Sequence, residues 1–218
     1  MVGALSFVAS RMGVTGLLPF ISSTFTDCHL SHLRGKRAAV DASCWLHRGA
    51  HACAADLAQG VATNRYLGYA LRMINLLRSH GVEPVLVFDG GPLPMKARQA
   101  ERRRALRESE VAKGRAFLAA GERAEAYAAF ARAIRITPCM ARELVVELRA
   151  RRVAYVVAPY EADAQCTFLV REGFCDLAIS VGTTPDCHCT PHSLCSVVQR
   201  SSLWVYRRTE TFSLITAL

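Results

Sequence analysis

The sequence predicts an α/β fold, a parallel β-sheet flanked by helices, and three observations carry that expectation. Short apolar, β-branched runs of strand length recur at Arg37–Val40, Pro84–Phe88 and Val153–Val157. Segments with helical spacing of apolar residues separate them. Each run also closes on acid: Asp41 after the first, Asp89 after the second, and Glu161 with Asp163 just beyond Pro159 after the third. Parallel strands joined by helical crossovers place their carboxyl ends along one edge of the sheet. Four carboxylates distant in sequence are therefore expected in one crevice. Such a cluster does not stay ionised without a cation, and oxygen-only donors select a hard divalent ion such as Mg²⁺ or Mn²⁺.

Composition sets the surroundings. The 218 residues suffice for one large α/β domain, or a domain with a tail, and 51% hydrophobic content marks a globular chain. A formal charge of +9 favours a polyanionic partner, nucleic acid before membrane surface. No apolar run approaches the roughly 20 residues that span a bilayer, so no membrane partner is expected. Only Lys36, Lys96 and Lys113 of the 27 basic residues are lysines. A biased genome explains the arginine excess most simply, phosphate recognition second. Nine cysteines without a repeated Cys-x-x-Cys predict reduced thiols in a cytosolic or nuclear protein. Met1–Arg11 is too short for a signal or transit peptide.

In chain order, Gly13–Ile21 reads as a small helix, and the first strand runs over Lys36–Asp41. His47 follows the first acid by one or two helical turns; a lone histidine is more often structural than functional, and that position is what raises it. Thr63 opens the clearest helix, with Tyr66, Leu67, Ala70, Met73, Ile74 and Leu77 on one face and Gly81 as its left-handed stop. The second strand then delivers Asp89. From Lys96 to Arg107 the only acid is Glu101 among Lys96, Arg98, Arg102, Arg103, Arg104 and Arg107. A solvated surface helix is the ordinary reading of such a run. Its one-sided sign and its place directly after Asp89 favour phosphate contact. A second helix, 122–136, places Tyr127, Phe130, Ala131 and Ile134 on one stripe and looks like half of a tetratricopeptide hairpin without a second copy, hence a single inserted hairpin. Thr137 and Pro138 cap a third helix with Met140, Leu144, Val145 and Leu148 inward. A helix from Gln165 to about Glu172 and a fourth strand, Cys175–Val181, follow, and that strand ends without acid in Gly182-Thr183-Thr184.

Four ordered motifs now stand together: Met12-Gly13-Val-Thr-Gly-Leu-Leu-Pro-Phe-Ile, Ala-Val-Asp41-Ala-Ser-Cys-Trp-Leu-His47, Val-Phe-Asp89-Gly-Gly-Pro-Leu-Pro-Met-Lys96 and Ala-Pro-Tyr-Glu161-Ala-Asp163-Ala-Gln. With them the chain resembles the flap endonuclease superfamily, the XPG-type 5′ nucleases, from Met12 to about Ser180, and is most similar to the N-terminal region of the exonuclease 1 branch. The resemblance implies a PIN-like sheet and a metal-dependent 5′ to 3′ DNA exonuclease of repair and recombination, acting at 5′ ends, nicks or flaps. It makes Asp41, Asp89, Glu161 and Asp163 the metal carboxylates, for two Mg²⁺ or Mn²⁺ ions in the family and one here. It makes Lys96 and Arg103 the catalytic groups on the scissile phosphate, with Gly13, His47, Arg98, Arg102, Arg104 and Arg107 as DNA contacts. Residues 96–136 correspond to the family's helical arch, which orders over a threaded strand. A nuclear location and mismatch-repair partners follow from the same likeness.

Two departures bear on activity. Met1–Arg11 precedes the family's initiating Met-Gly and is expected not to be native. Where the family has Glu-Asp-Ser-Asp, this chain has Val181-Gly182-Thr183-Thr184, so second-metal aspartates are replaced and turnover is expected to be crippled. Residues 181–218 carry no family likeness and are expected to be an irregular tail, a product of the gene model. Within them Cys187, Cys189, His192 and Cys195 are spaced too tightly for an ordinary zinc finger. The rival readings are a non-catalytic DNA-binding or interaction fragment, and a flap endonuclease differing in substrate geometry.

Overall fold

The structure is a computed structural model that describes residues 25–180 and the strands Cys195–Gln199, Ser202–Tyr206 and Thr211–Thr216, with side chains described over 30–179. Its elements are β1 (Phe25–His29), β2 (Arg37–Asp41), α1 (Ala42–His51), α2 (Ala54–Gln59), α3 (Leu67–Ser79), β3 (Glu83–Phe88), α4 (Ala97–Ala119), α5 (Arg123–Arg132), α6 (Pro138–Ala150), β4 (Ala154–Val157), α7 (Ala162–Arg171), β5 (Leu177–Ser180), β6 (Cys195–Gln199), β7 (Ser202–Tyr206) and β8 (Thr211–Thr216).

Four strands pair in parallel in the order β5-β2-β3-β4, with Val40 opposite both Leu86 and Ile179 and Phe88 opposite Val157. The expected parallel sheet flanked by helices is thus present, and its carboxyl ends carry Asp41 and Asp89. One difference lies beyond it. The tail, expected to be irregular, supplies β6, β7 and β8, which extend the sheet antiparallel from β5, with β1 closing the far edge against β8. These segments are rich in Val, Trp, Tyr, Thr, Phe and Ile, which suit a pleated surface, but each is only five or six residues long, too short for its alternation to be noticed.

The two faces of the sheet are covered unequally. On one, α1 buries Ala42, Trp45, Leu46, Gly49 and Ala50, a run spaced at three and four, against Ile74 and Leu77 of α3, Leu144 and Leu148 of α6 and Val40 and Leu86 of the sheet. Each fully buried large apolar side chain of this set contributes about 1.5–3 kcal/mol. On the other face α7 lays Ala162, Cys166, Leu169 and Val170 over Ala39, Val85, Val87 and Ala178.

Three helices differ from their sequence reading. The helix assigned from Thr63 begins at Leu67, because Thr63 spends its hydroxyl on the Arg65 N–H and holds the preceding residues in a turn. The helix placed after Gln165 begins at Ala162, so Asp163 lies in its first turn, where a carboxylate favours the helix dipole. In α5 the inward residues are Ala126, Ala129 and Phe130, with Ile134 buried just past its end; Tyr127 is half exposed, because its hydroxyl donates to the His51 carbonyl oxygen at 2.6 Å. Phe130 also explains why α4, charged on all sides, still has a partner. Gly114 is its one buried residue, and a Cβ there would stand 2.5 Å from the Phe130 ring. Glu110 reinforces the seam by pairing with Lys113 at 2.7 Å and Arg132 at 2.6 Å.

Candidate metal and nucleic-acid site

Asp41 ends β2 and caps α1: its Oδ1 accepts from the N–H groups of Ser43 (2.9 Å) and Cys44 (3.3 Å), and its Oδ2 accepts from the Cys44 thiol at 2.7 Å. It is 7% exposed, the one buried charged side chain among the described residues. Burial pushes its carboxyl up to about 6; the Cys44 thiol opposes this, and the negative fields of Asp163 and Asp89 add to it. Three carboxylates from different parts of the chain thus act on one another at the carboxyl ends of β2 and β3 and the start of α7.

Asp89, exposed just past β3, has both oxygens engaged. Its Oδ1 accepts the Ala162 N–H at 2.9 Å and its Oδ2 the Ser43 hydroxyl at 2.6 Å. Glu161 at the head of α7 accepts Lys96 Nζ at 2.5 Å. As the side chains stand, no three Asp, Glu, His or Cys residues among the described ones gather closely enough to grip an ion. Lys96 holds Glu161 aside. The donor chemistry nonetheless fits a hard divalent cation: every donor is a carboxylate oxygen, and a cation would offset both the burial of the Asp41 charge and the fields of Asp163 and Asp89 that add to it.

Glycine makes this convergence possible. The Gly90 N–H donates to the Tyr160 carbonyl oxygen at 2.7 Å and the Gly91 N–H to that of Pro159 at 2.9 Å, drawing the ends of β3 and β4 together. A Cβ on Gly90 would lie 1.9 Å from the Ala158 carbonyl oxygen.

The basic residues form a separate group. Lys96 precedes α4 and meets the acidic edge through Glu161, whereas Arg98, Arg102 and Arg104 are exposed on the helix, Arg104 paired with Glu108 at 2.9 Å. Arg103 and Arg107 are half-buried one turn apart, and burial followed by the charges of Arg135 and Arg103 lowers the Arg107 guanidinium below its usual range. His47 lies half-buried in α1, edge-on to His51 with ring centroids 5.1 Å apart; burial, then His51 and Arg48, depress it to about 4, so it is neutral at physiological pH. Gly13, residues 181–184, Cys187, Cys189 and His192 lie outside the described residues, while Cys195 opens β6.

Ser43, Cys44 and Cys166 went unnoticed in the sequence. The buried Cys166 thiol is pushed up by desolvation and then by Asp41, Asp163 and Asp89, so it stands neutral within reach of the same field. Its spacing of three from Asp163 is the only signal the sequence held.

Comparison with known families settles the lineage. The XPG N-terminal domain matches residues 12–110 and the XPG I-region matches residues 152–182, together more than half of the chain. The chain belongs to the flap endonuclease superfamily. Within this superfamily it is 46% identical to Exonuclease 1 of Arabidopsis thaliana over 158 residues, covering 72% of this chain and 22% of that protein. Against Exonuclease 1 of Xenopus laevis it is 41% identical over 169 residues, 78% of this chain and 23% of that one. The chain therefore spans about a fifth of the length of these relatives. Its fold is similar to the catalytic core of Rad2 solved in complex with DNA substrate, with a TM-score of 0.53 and 26% identity over 78% of this chain and 45% of that one. Human GEN1, at 18% identity and a TM-score of 0.55 over 94% of this chain and 44% of that one, shares the fold. Among the described residues no helix is long and apolar enough to cross a membrane.

Proposed function

We propose that this chain is the metal-binding N-terminal part of a 5′-directed DNA nuclease of the exonuclease 1 type, acting at 5′ ends, nicks and flaps in the nucleus beside mismatch-repair proteins. The nuclease unit is assigned to 12–180, with 96–136 as its arch. The observation that supports this reading most is Asp41, raised first by its burial and further by Asp163 and Asp89, on the sheet edge where basic α4 begins. Divalent ions, when bound, supply the Lewis acidity that offsets charge on the scissile phosphate. The chain's own residues do the rest. Asp41, Asp89, Glu161 and Asp163 hold Mg²⁺ or Mn²⁺; Lys96 and Arg103 offset the charge that grows on the phosphate; Arg98, Arg102, Arg104 and Arg107 attract the backbone. His47, uncharged, offers its ring to a terminal base. Gly13, at the start of the first family motif, allows the nucleic acid to approach the backbone.

Gly182 and Thr184 bring no carboxylate for a second ion, so turnover by the chain as it stands is set at background. The test uses a 5′-labelled recessed duplex with Mg²⁺. Replacing Val181–Thr184 by Glu-Asp-Ser-Asp should raise release of 5′ nucleotides by roughly 10²-fold or more, and Lys96→Ala or Arg103→Ala in that background should lower it again with less effect on binding. Robust release by the unmodified chain would show that the remaining carboxylates suffice. The pairing of Glu161 with Lys96 favours a second reading, a DNA-binding fragment without turnover. That reading predicts salt-sensitive binding with no Mg²⁺-dependent release even after the acids are restored.

A further inference from the structure

Ser43 touches two of the carboxylates by two different groups. Its backbone N–H donates to Asp41 Oδ1 at 2.9 Å, and its hydroxyl donates to Asp89 Oδ2 at 2.6 Å, across 46 residues of chain. The hydroxyl is the donor, because an ionised carboxylate only accepts. Ser43 is the second residue of α1, half-buried, and its place is held by the packing of Trp45 and Leu46 behind it. Asp89 is otherwise an exposed side chain on the loop after β3, free to rotate about its own bonds. The Ala162 N–H takes its Oδ1 and the Ser43 hydroxyl its Oδ2, so one rotamer is fixed and each oxygen keeps a lone pair for a ligand.

We infer that Ser43 is a positioning residue for ion binding, its hydroxyl locking Asp89 in the orientation that sets it against Asp41. The inference rests on the metal reading proposed above. Groups that orient ligands in this way typically contribute 10- to 100-fold in affinity, and a surface serine with no such duty contributes nothing.

Ser43→Ala is a clean probe, since it keeps the N–H that caps Asp41 and removes only the hydroxyl, at a position where alanine suits the helix. The measurement is Mn²⁺ binding to the full chain, followed by the electron paramagnetic resonance signal of free Mn²⁺, with thermal unfolding in chelator as the control. Ser43→Ala is expected to weaken Mn²⁺ binding about 10-fold or more and to leave the chelator melting point nearly unchanged. Ser43→Thr, which restores a hydroxyl, is expected to bind Mn²⁺ like the unaltered chain, and Ser43→Cys, a weak donor of similar size, to fall between. Unaltered Mn²⁺ affinity in Ser43→Ala, alongside loss of binding in Asp89→Ala, overturns the role of Ser43 and leaves the metal site standing. Unaltered affinity in Asp89→Ala overturns both.

Discussion

Asp41→Asn should make the protein more stable, not less, when measured in chelator at pH 8. The carboxylate is buried, faces the charges of Asp163 and Asp89, and has been raised from 3.8 to about 6, a shift on the order of 3 kcal/mol. Asparagine keeps the oxygen that accepts the Ser43 and Cys44 N–H groups and removes the charge. The sign with pH follows from linkage. Above about pH 6 the carboxyl is ionised in both states and the native state bears the full cost of burying that charge beside Asp163 and Asp89. Between 6 and 3.8 the native state takes up a proton first and the penalty fades; below 3.8 it is gone. The advantage of Asp41→Asn should therefore be full at pH 8 and absent near pH 4. His47 acts in the opposite sense. Its folded value of about 4 lies below the ordinary 6.5, so as pH falls through 6.5 the unfolded state protonates first and stability is lost down to pH 4. The two effects nearly offset each other in the unaltered chain. Asp41→Asn should expose the His47 effect as a steady fall in stability from pH 6.5 to 4, read by chemical denaturation at each pH. An Asp41→Asn variant no more stable than its parent at pH 8 would mean that neither burial nor the neighbouring charges penalise the ionised carboxylate.

Gly90→Ala should be the most damaging single methyl in the acidic edge. Its Cβ would meet the Ala158 carbonyl oxygen at 1.9 Å and the Pro159 carbonyl oxygen at 2.7 Å, and backbone cannot step aside as a side chain does. Relief requires parting the ends of β3 and β4, breaking the Gly90 and Gly91 hydrogen bonds to Tyr160 and Pro159. We expect a loss of about 3 kcal/mol or more, roughly 6–12 °C in melting temperature, together with weaker Mn²⁺ binding because Asp89 moves away from the head of α7. Gly91→Ala is the control: its nearest neighbour would be 3.5 Å away, ordinary contact, and it should melt close to the parent.

Asp41 and Asp89 were legible because each follows a short, largely apolar strand, and a parallel sheet aligns such ends whatever the loops do. Thr137 and Pro138 were legible too: the Thr137 hydroxyl accepts the Met140 N–H at 3.3 Å and proline takes the first helical position. What failed to show were contacts between distant side chains. Nothing in Ala-Ser-Cys-Trp marks Ser43 as the partner of Asp89, since that contact depends on how β2 and β3 align, whereas the Cys44 thiol meets Asp41 locally, across the first turn of α1. The pairing of Lys96 with Glu161, 65 residues apart, is of the same kind. Tyr127 misled because an aromatic at helical spacing looks apolar until its hydroxyl finds the His51 carbonyl. In α4 the inward residue is a glycine, which carries no hydrophobic signal to read, so a helix with a buried seam looked uniformly polar.

We propose that Asp41, Asp89 and Asp163 act as one site for a divalent ion. Direct titration of Mn²⁺ into the chain at pH 8, compared with Asp41→Asn, Asp89→Ala and Asp163→Ala, tests it without reference to DNA or turnover. The unaltered chain is expected to bind at least one Mn²⁺ and each substitution to weaken binding about 10-fold or more, with Asp41→Asn losing affinity while gaining stability in chelator. Equal Mn²⁺ affinity in all four proteins would contradict it.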